Sequence, residues 1–487
     1  MCVCLQKIII IIIKARGTQM QSKPTDYAPS NRHCFPYTYT ITLTLTSNSD
    51  SLLQHFFILQ TNEPDFISIP KYRMPSVLEL ASSQDDREGG GGIDFPPKRI
   101  LLPRDTFLSA AISLKNQVVE VTWTQRRNED VGVDQTVYSG LLGTALTCLR
   151  SYEATGNHQD LLLCSDIVDT CTVAARASHR NLTFLCGRGG VCALGAVVSH
   201  YMGDPQKLDL FFNLFLQAAQ EKALPIGPEE GGFGMSYDLL YGRAGFLWAA
   251  LFINKHLGEQ RLPHDLLMSV VDAVLAGGRT GASDNPECPL MYRWHGTRYY
   301  GAANGLAGIL QVLLHFPLSK GDADDVKETL RYLMSKRFPH SGNYPSSEGN
   351  PRDKLVQWSH GATGMGITLC KASQVFHEDR EFRDAAIEAG EVVWKNGLVK
   401  EVGLADGVAG NAYAFLSLYR LTRESVYEER ARAFGTYLYH SASELVAPRN
   451  QVGGDRLYSL FHGLAGTACL WFDLVQPEKS RFPGYEL

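Results

Sequence analysis

Gly-x-x-Gly opens an apolar run at seven places in this chain: Gly140/Gly143, Gly187/Gly190, Gly242/Gly245, Gly305/Gly308, Gly361/Gly364, Gly407/Gly410 and Gly463/Gly466. Successive copies begin 47, 55, 63, 56, 46 and 56 residues apart. One copy would be noise. Seven at this spacing demand a repeat architecture, in which each unit buries its apolar face only against its neighbours. The unit holds two helices. In the sixth, 380–395 carries Phe382, Ala385, Ala386, Ala389 and Val392 on one face and charges on the other. The run 407–421 that follows is apolar almost all round, with Val408, Ala409, Ala412, Tyr413, Phe415, Leu416 and Leu418. The amphipathic helix therefore reads as outer and the apolar one as inner. The same pairing joins 204–224 to 242–257, 322–336 to 361–375, and 424–443 to 463–474, and the first outer helix falls at 105–123.

An open solenoid carries polar capping repeats at its ends. The last inner segment, 463–474, is as apolar as the others and lies close to the final residue. A closed ring accounts for this better. The predicted fold is all-α, an (α/α)7 double helical barrel or toroid over residues 101–487, with seven inner and seven outer helices. Inner and outer helices alternate in direction, so all inner N-termini share one mouth. Their positive ends then favour an anionic ligand, such as a carboxylate, thiolate or phosphate. The glycines themselves are equally well explained by close packing.

Residues 1–100 read differently, as a poorly ordered or irregular extension and linker. Six isoleucines at 8–13 are followed by an alternating 37–45 stretch, and 82–97 includes Asp85-Asp86-Arg87-Glu88 and four glycines at 89–92. Six isoleucines fall far short of the roughly 20 apolar residues that span a bilayer. They show no signal-peptide cleavage pattern. Met74 is an alternative start. The basic residues Lys7, Lys14 and Arg16 beside the isoleucines leave room for a peripheral membrane contact. The inner helices, at 12–16 residues and alternating with amphipathic ones, read as buried barrel helices and not as membrane spans.

With 46 basic against 51 acidic residues and no basic stripe, a nucleic-acid partner is not expected. The eleven cysteines are odd in number and contain no CxxC pair, which reads as reduced, mostly buried thiols in a cytoplasmic protein.

The residues just before each motif line the mouth: Tyr138-Ser139, Leu185-Cys186, Leu240-Tyr241, Ala303-Asn304, Ser359-His360, Ala405-Asp406 and Phe461-His462. Arg188 and Arg243 lie inside the motifs. This polar, mixed rim suits a binding cavity. The longest connection, 277–304, holds Tyr292, Trp294, His295, Tyr299 and Tyr300 and reads either as a lid or as a packed plug. His360, Asp406 and His462 could meet across the mouth, and two histidines with a carboxylate can hold a metal. No short-range ligand spacing supports that, however.

These motifs together resemble the LanC-like family, the eukaryotic relatives of bacterial lanthionine synthetase cyclases. The resemblance covers residues 105–487. Its specific matches are 184–187 (Phe-Leu-Cys-Gly), 300–308 (Tyr-Gly-Ala-Ala-Asn-Gly-Leu-Ala-Gly), 357–362 (Gln-Trp-Ser-His-Gly-Ala), 407–415 and the tail Arg481-Phe482-Pro483-Gly484-Tyr485-Glu486-Leu487.

The resemblance implies the seven-fold double barrel and a zinc-dependent thiol chemistry, in which a bound thiolate adds to a dehydroamino acid. It also implies a glutathione or peptide ligand, kinase or signalling partners and peripheral association with the plasma membrane. The family's zinc positions fall on Ser359, Ala405 and Asp406, and its proton-transfer histidine falls on Asn304. None of these is the usual residue, so no zinc and no other cofactor is expected. His360 is kept, and Lys400 matches a lysine associated with glutathione binding.

The expected function is thus a binding or regulatory module, a pseudoenzyme with a degenerate zinc site. His360 and Asp406 are the candidate catalytic groups. Arg188, Arg243, Asn304, Lys400 and His462 are the candidate ligand contacts. The alternative is a residual enzyme that adds a thiol to dehydroamino acids. Related toroids of the six-hairpin-glycosidase type need two carboxylates about 5–9.5 Å apart. Only Asp406, with Glu229 and Glu230 on a nearby loop, comes near that pattern. Asp322, Asp324 and Asp325 read as the start of an outer helix.

Overall fold

A computed structural model describes residues 101–125, 134–177, 182–223, 235–258, 261–446 and 456–487. The extension and linker expected at 1–100, and the loop carboxylates Glu229 and Glu230, lie outside the described residues.

Within them the chain alternates outer and inner helices. The outer set is α1 (Arg104–Val119), α3 (His158–Ala177), α5 (Pro205–Ala218), α7 (His264–Gly281), α9 (Lys320–Ser335), α11 (Arg380–Asn396) and α13 (Ser425–Val446). The inner set is α2 (Leu141–Thr155), α4 (Arg188–Met202), α6 (Arg243–Leu257), α8 (Leu306–Leu313), α10 (Ala362–Val375), α12 (Val408–Thr422) and α14 (Leu464–Val475). Each inner helix packs against the next, from α2 on α4 round to α12 on α14, and α14 packs back on α2. Each outer helix packs on the inner helix before it in sequence, and α1 packs on α14. The ring is closed, as the apolar last repeat predicts. Among the described residues no helix is long and apolar enough to cross a membrane.

The patterning acts as expected. On α11 the residues Phe382, Ala385, Ala386 and Ala389 are buried, whereas α12 is buried without interruption from Val408 to Leu418. Local chemistry sets the starts. Asp204 caps α5 by accepting the Lys207 N–H at 3.0 Å, with Pro205 as the first helical residue. Ser319 caps α9 in the same way through the Asp322 N–H.

Two features depart from expectation. Inner helix α8 is only 8 residues long. Pro317, four residues past its last residue, cannot continue a helix. The glycines at 277 and 278, taken as the start of the long connection, remain inside α7. A Cβ on Gly277 would lie 2.3 Å from the Tyr237 ring, and one on Gly278 2.4 Å from the Tyr292 hydroxyl. They are slots for two tyrosines and not helix stops.

The repeated motif has a steric cause. The loop before each inner helix folds back on that helix, so that the second glycine faces a carbonyl six residues earlier. A Cβ would lie 2.0 Å from Leu239 O at Gly245, 2.0 Å from Leu404 O at Gly410 and 2.3 Å from Leu460 O at Gly466. No side chain fits there.

The C-terminal tail enters the barrel from the other end. Phe482 and Tyr485 are fully buried, and Trp358, Phe461, Phe482 and Tyr485 form one aromatic cluster beneath the mouth loops.

Candidate functional site

The motif loops are joined into a chain of backbone hydrogen bonds. Ser359 N–H donates to Ala405 C=O at 3.0 Å, Ala405 N–H to Phe461 C=O at 2.8 Å, Phe461 N–H to Tyr138 C=O at 3.1 Å and Tyr138 N–H to Leu185 C=O at 2.9 Å. Each residue stands two places before its motif. The next loop joins through a side chain, the Thr183 hydroxyl donating to Leu240 C=O at 2.5 Å. All these loops open inner helices, so the inner N-termini do converge on one mouth.

The rim side chains can now be placed. His462 Nδ1 lies 3.7 Å from Asp406 Oδ1, with both side chains partly exposed. That is an ion-pair distance and too long for a hydrogen bond. The His462 ring meets Tyr138 edge-on, with centroids 5.1 Å apart. His360 sits over Tyr299 at 6.1 Å, and its Nδ1 is buried with no hydrogen-bond partner among the described residues. Burial holds its imidazole below the usual histidine range. Ser359 is buried, and its hydroxyl accepts from Gln357 Nε2 at 2.8 Å. Lys400 is exposed on the loop that precedes α12. Arg188, the first residue of α4, pairs with Glu221 at 2.9 Å.

Arg243, expected as a ligand contact, is 1 % exposed. Its Nε donates to Ala223 C=O at 3.1 Å, a second guanidinium nitrogen donates to Met235 C=O, and the group lies 5.3 Å from the Tyr237 ring centre. Two of its donors thus hold the chain on either side of the segment before α6.

Asn304 Nδ2 donates to Asp238 Oδ2 at 3.0 Å. Asp238 is the site residue that the sequence reading missed. It is 2 % exposed, and it also accepts from the Leu240 and Tyr241 N–H groups and from the Ser236 hydroxyl. Burial pushes its pKa up, and these donors pull it back. The available signal was an Asp four residues ahead of a motif glycine, placed to cap its own loop. Next to it stands Cys186, the one partly exposed thiol among the described cysteines, which are all free. Burial, followed by the Asp238 charge, pushes this thiol up to about 12.

The long connection is part plug and part rim. Tyr292 and Tyr300 are buried. Trp294 and Thr297 pair across a tight turn whose corner residues, His295 and Gly296, both have positive φ and are exposed. Trp294 stacks at 6.1 Å on Tyr241, so an aromatic arc of Tyr241, Trp294, Tyr299 and His360 borders one side of the mouth. The carboxylates Asp322 and Asp325 belong to α9 and pair with Arg279 on α7, away from the rim.

A closed ring of seven helical hairpins, with glycine loops gathered at one polar mouth, defines a double helical toroid. The chain belongs to the lanthionine synthetase C-like family, whose model matches residues 132–487. LanC-like protein GCL1 of Arabidopsis thaliana is 67% identical over 393 residues, 80% of this chain and 90% of that protein. A Danio rerio protein named Glutathione S-transferase LANCL1 is 34% identical over 362 residues, 73% of this chain and 85% of that one. Nisin cyclase shares the fold, with a TM-score of 0.60 at 14% identity over 77% of this chain and 95% of that chain.

Proposed function

We propose that this protein is a LanC-like binding or regulatory module with a degenerate zinc site, holding glutathione or a cysteine-bearing peptide at the barrel mouth. One observation carries this reading. The two loops at the family's ligand positions are neighbours, joined by the 3.0 Å bond from Ser359 to Ala405. They present an already engaged hydroxyl and a methyl group.

Zinc in proteins is held by thiolate, imidazole or carboxylate donors in a tetrahedral set. The residues present do not fit it. Of the three positions only Asp406 offers a donor, and it faces His462. No group of three or more His, Cys, Asp or Glu among the described residues could hold a metal. The proton-transfer position is equally changed. An amide neither takes up nor releases a proton near neutral pH, and the Asn304 amide is turned to Asp238.

What the mouth retains is suited to holding an anionic thiol peptide. Helix N-termini converge there, Lys400 supplies a cation, and the aromatic arc supplies a wall. The name of the Danio rerio relative supports glutathione as that ligand.

The test is elemental analysis of the full-length protein purified in zinc without chelator, together with glutathione calorimetry. Zinc below about a tenth of an equivalent, with saturable glutathione binding, is expected. Near-stoichiometric zinc that is lost in His360→Ala would overturn the reading. Turnover of a dehydroalanine peptide with glutathione would do the same, and would establish the residual thiol-adding enzyme, with His360 or Asp406 as base.

A further inference from the structure

The backbone bonds at the mouth join each loop only to its neighbour. The loops at the two ends of that chain, before α4 and before α10, are not joined directly among the described residues. The C-terminal tail reaches both from beneath. Its base is held at the far end of the barrel. Glu486 accepts the Ser417 hydroxyl at 2.7 Å and the Arg420 guanidinium, both from α12, and the Phe482 N–H at 3.0 Å. Arg481 Nε donates to Leu487 C=O at 2.7 Å, and Arg150 of α2 donates to Arg481 C=O at 2.8 Å.

The rest of the tail meets three mouth loops. Phe482 stacks on Trp358 with centroids 5.2 Å apart and meets Phe461 at 6.2 Å. Tyr485 meets Trp358 edge-on at 5.4 Å, and its hydroxyl donates to Gly364 C=O at 3.3 Å, at the head of α10. A Cβ on Gly484 would lie 2.5 Å from Leu185 Cδ2, so the tail backbone lies against that side chain. Leu185, Trp358 and Phe461 are fully buried. Each stands immediately before a rim group: Cys186, Ser359 with His360, and His462. One anchored body thus touches the residue beneath each of three rim positions, including both ends of the backbone chain.

We propose that Phe482 and Tyr485 are positioning residues for the thiol-peptide site, fixing where His360 and His462 stand through Trp358 and Phe461. The proposal rests on the binding reading above. Close-packed interiors transmit a displacement instead of absorbing it, and a site loosened by about 1 Å loses its fit.

The probe is glutathione, titrated by calorimetry into the full-length protein, with the histidine ring resonances read by NMR on histidine-labelled protein. Phe482→Leu keeps an apolar side chain and removes the flat ring against Trp358. It should weaken glutathione about five-fold or more and shift the ring resonances of both His360 and His462, leaving those of the exposed His264 and His377 in place. Tyr485→Phe loosens only the head of α10, and should shift His360 and spare His462. Val326→Ala, a buried truncation on outer helix α9, reports lost stability alone and should move neither resonance nor affinity. Rim resonances unmoved in both tail variants, an unchanged glutathione affinity in Phe482→Leu that still folds, or equal effects in Val326→Ala would each overturn the proposal. Should Phe482→Leu fail to fold, the His360 resonance in Tyr485→Phe decides it. A parent protein that binds no glutathione would sink the binding reading, and the resonances would still decide whether the tail sets the rim.

Discussion

Tyr485 tests whether the tail truly fills the barrel. Its side chain is fully buried, its hydroxyl lies 2.6 Å from Thr368 Oγ1 and donates to Gly364 C=O at 3.3 Å, and its ring meets Trp358 at 5.4 Å. Tyr485→Phe removes only the hydroxyl. Thr368 keeps two carbonyl acceptors, Ala307 and Gly364, each at 3.2 Å, so no donor is orphaned. The cost should be about 1 kcal/mol. Tyr485→Ala also leaves a cavity, and the neighbouring chain cannot close it. Gly484 has φ +78°, and a Cβ there would lie 2.5 Å from Leu185 Cδ2, so the tail backbone is already seated tightly. The cost should therefore approach the large-to-small range for aromatics, about 3–5 kcal/mol. Urea unfolding followed by tryptophan fluorescence separates the two, with Trp358 as a local reporter. A Tyr485→Ala loss below about 1 kcal/mol, or equal losses in the two variants, would refute a packed internal tail.

Two further outcomes follow from buried charges. Lys115 on α1 and Asp160 on α3 form a buried pair at 2.5 Å, so Lys115→Met should cost about 3–5 kcal/mol in urea unfolding, and Lys115→Met with Asp160→Leu should recover most of it. His256 is held neutral, its pKa lowered to about 3 by burial and then by Lys255 and Arg150. The unfolded chain takes up that proton below pH 6.5 and the folded chain does not. Stability is therefore lost as pH falls from 7 to 5, by about 2 kcal/mol from this group, and His256→Gln should show a correspondingly flatter profile.

The ring was legible because its signals are local and repeated. Seven glycine pairs, apolar inner runs and an apolar last repeat each report on packing that recurs. What the sequence hid was what depends on particular tertiary contacts. Arg243 looks like a rim cation by its place in the motif, yet its guanidinium is turned to two backbone carbonyls. Asp238 reads only as a cap for its own loop, and its link to Asn304 of the next repeat is a tertiary contact that no local pattern shows. The connection reads as beginning at residue 277 because nothing in the local pattern shows that Tyr237 and Tyr292 will press on the glycines at 277 and 278. The tail reads as a short terminal motif, and only closure of the ring gives it an interior to fill.

The mouth also shows how a barrel of this fold can tolerate different side chains at residues 359, 405 and 406 and keep its shape. The bonds that tie its loops run from main chain to main chain, N–H of Ser359 to C=O of Ala405 and onward to Phe461, Tyr138 and Leu185. None of them uses a side chain at the ligand positions. The glycine contacts beneath are steric and equally indifferent to what stands on the rim. In small zinc domains metal binding and folding are one free energy, and loss of a ligand unfolds the chain. Here the loops are held before any ligand arrives, so substitution at residues 359, 405 and 406 changes the chemistry of the mouth without opening the ring. The same argument runs in reverse. Ser359→Cys and Ala405→Cys with Asp406→His should leave the unfolding free energy, measured with a chelator, within about 1 kcal/mol of the parent, while raising bound zinc toward one equivalent when no chelator is present. A large loss of stability in that triple variant would show that the rim side chains, and not the backbone chain beneath them, hold the mouth together.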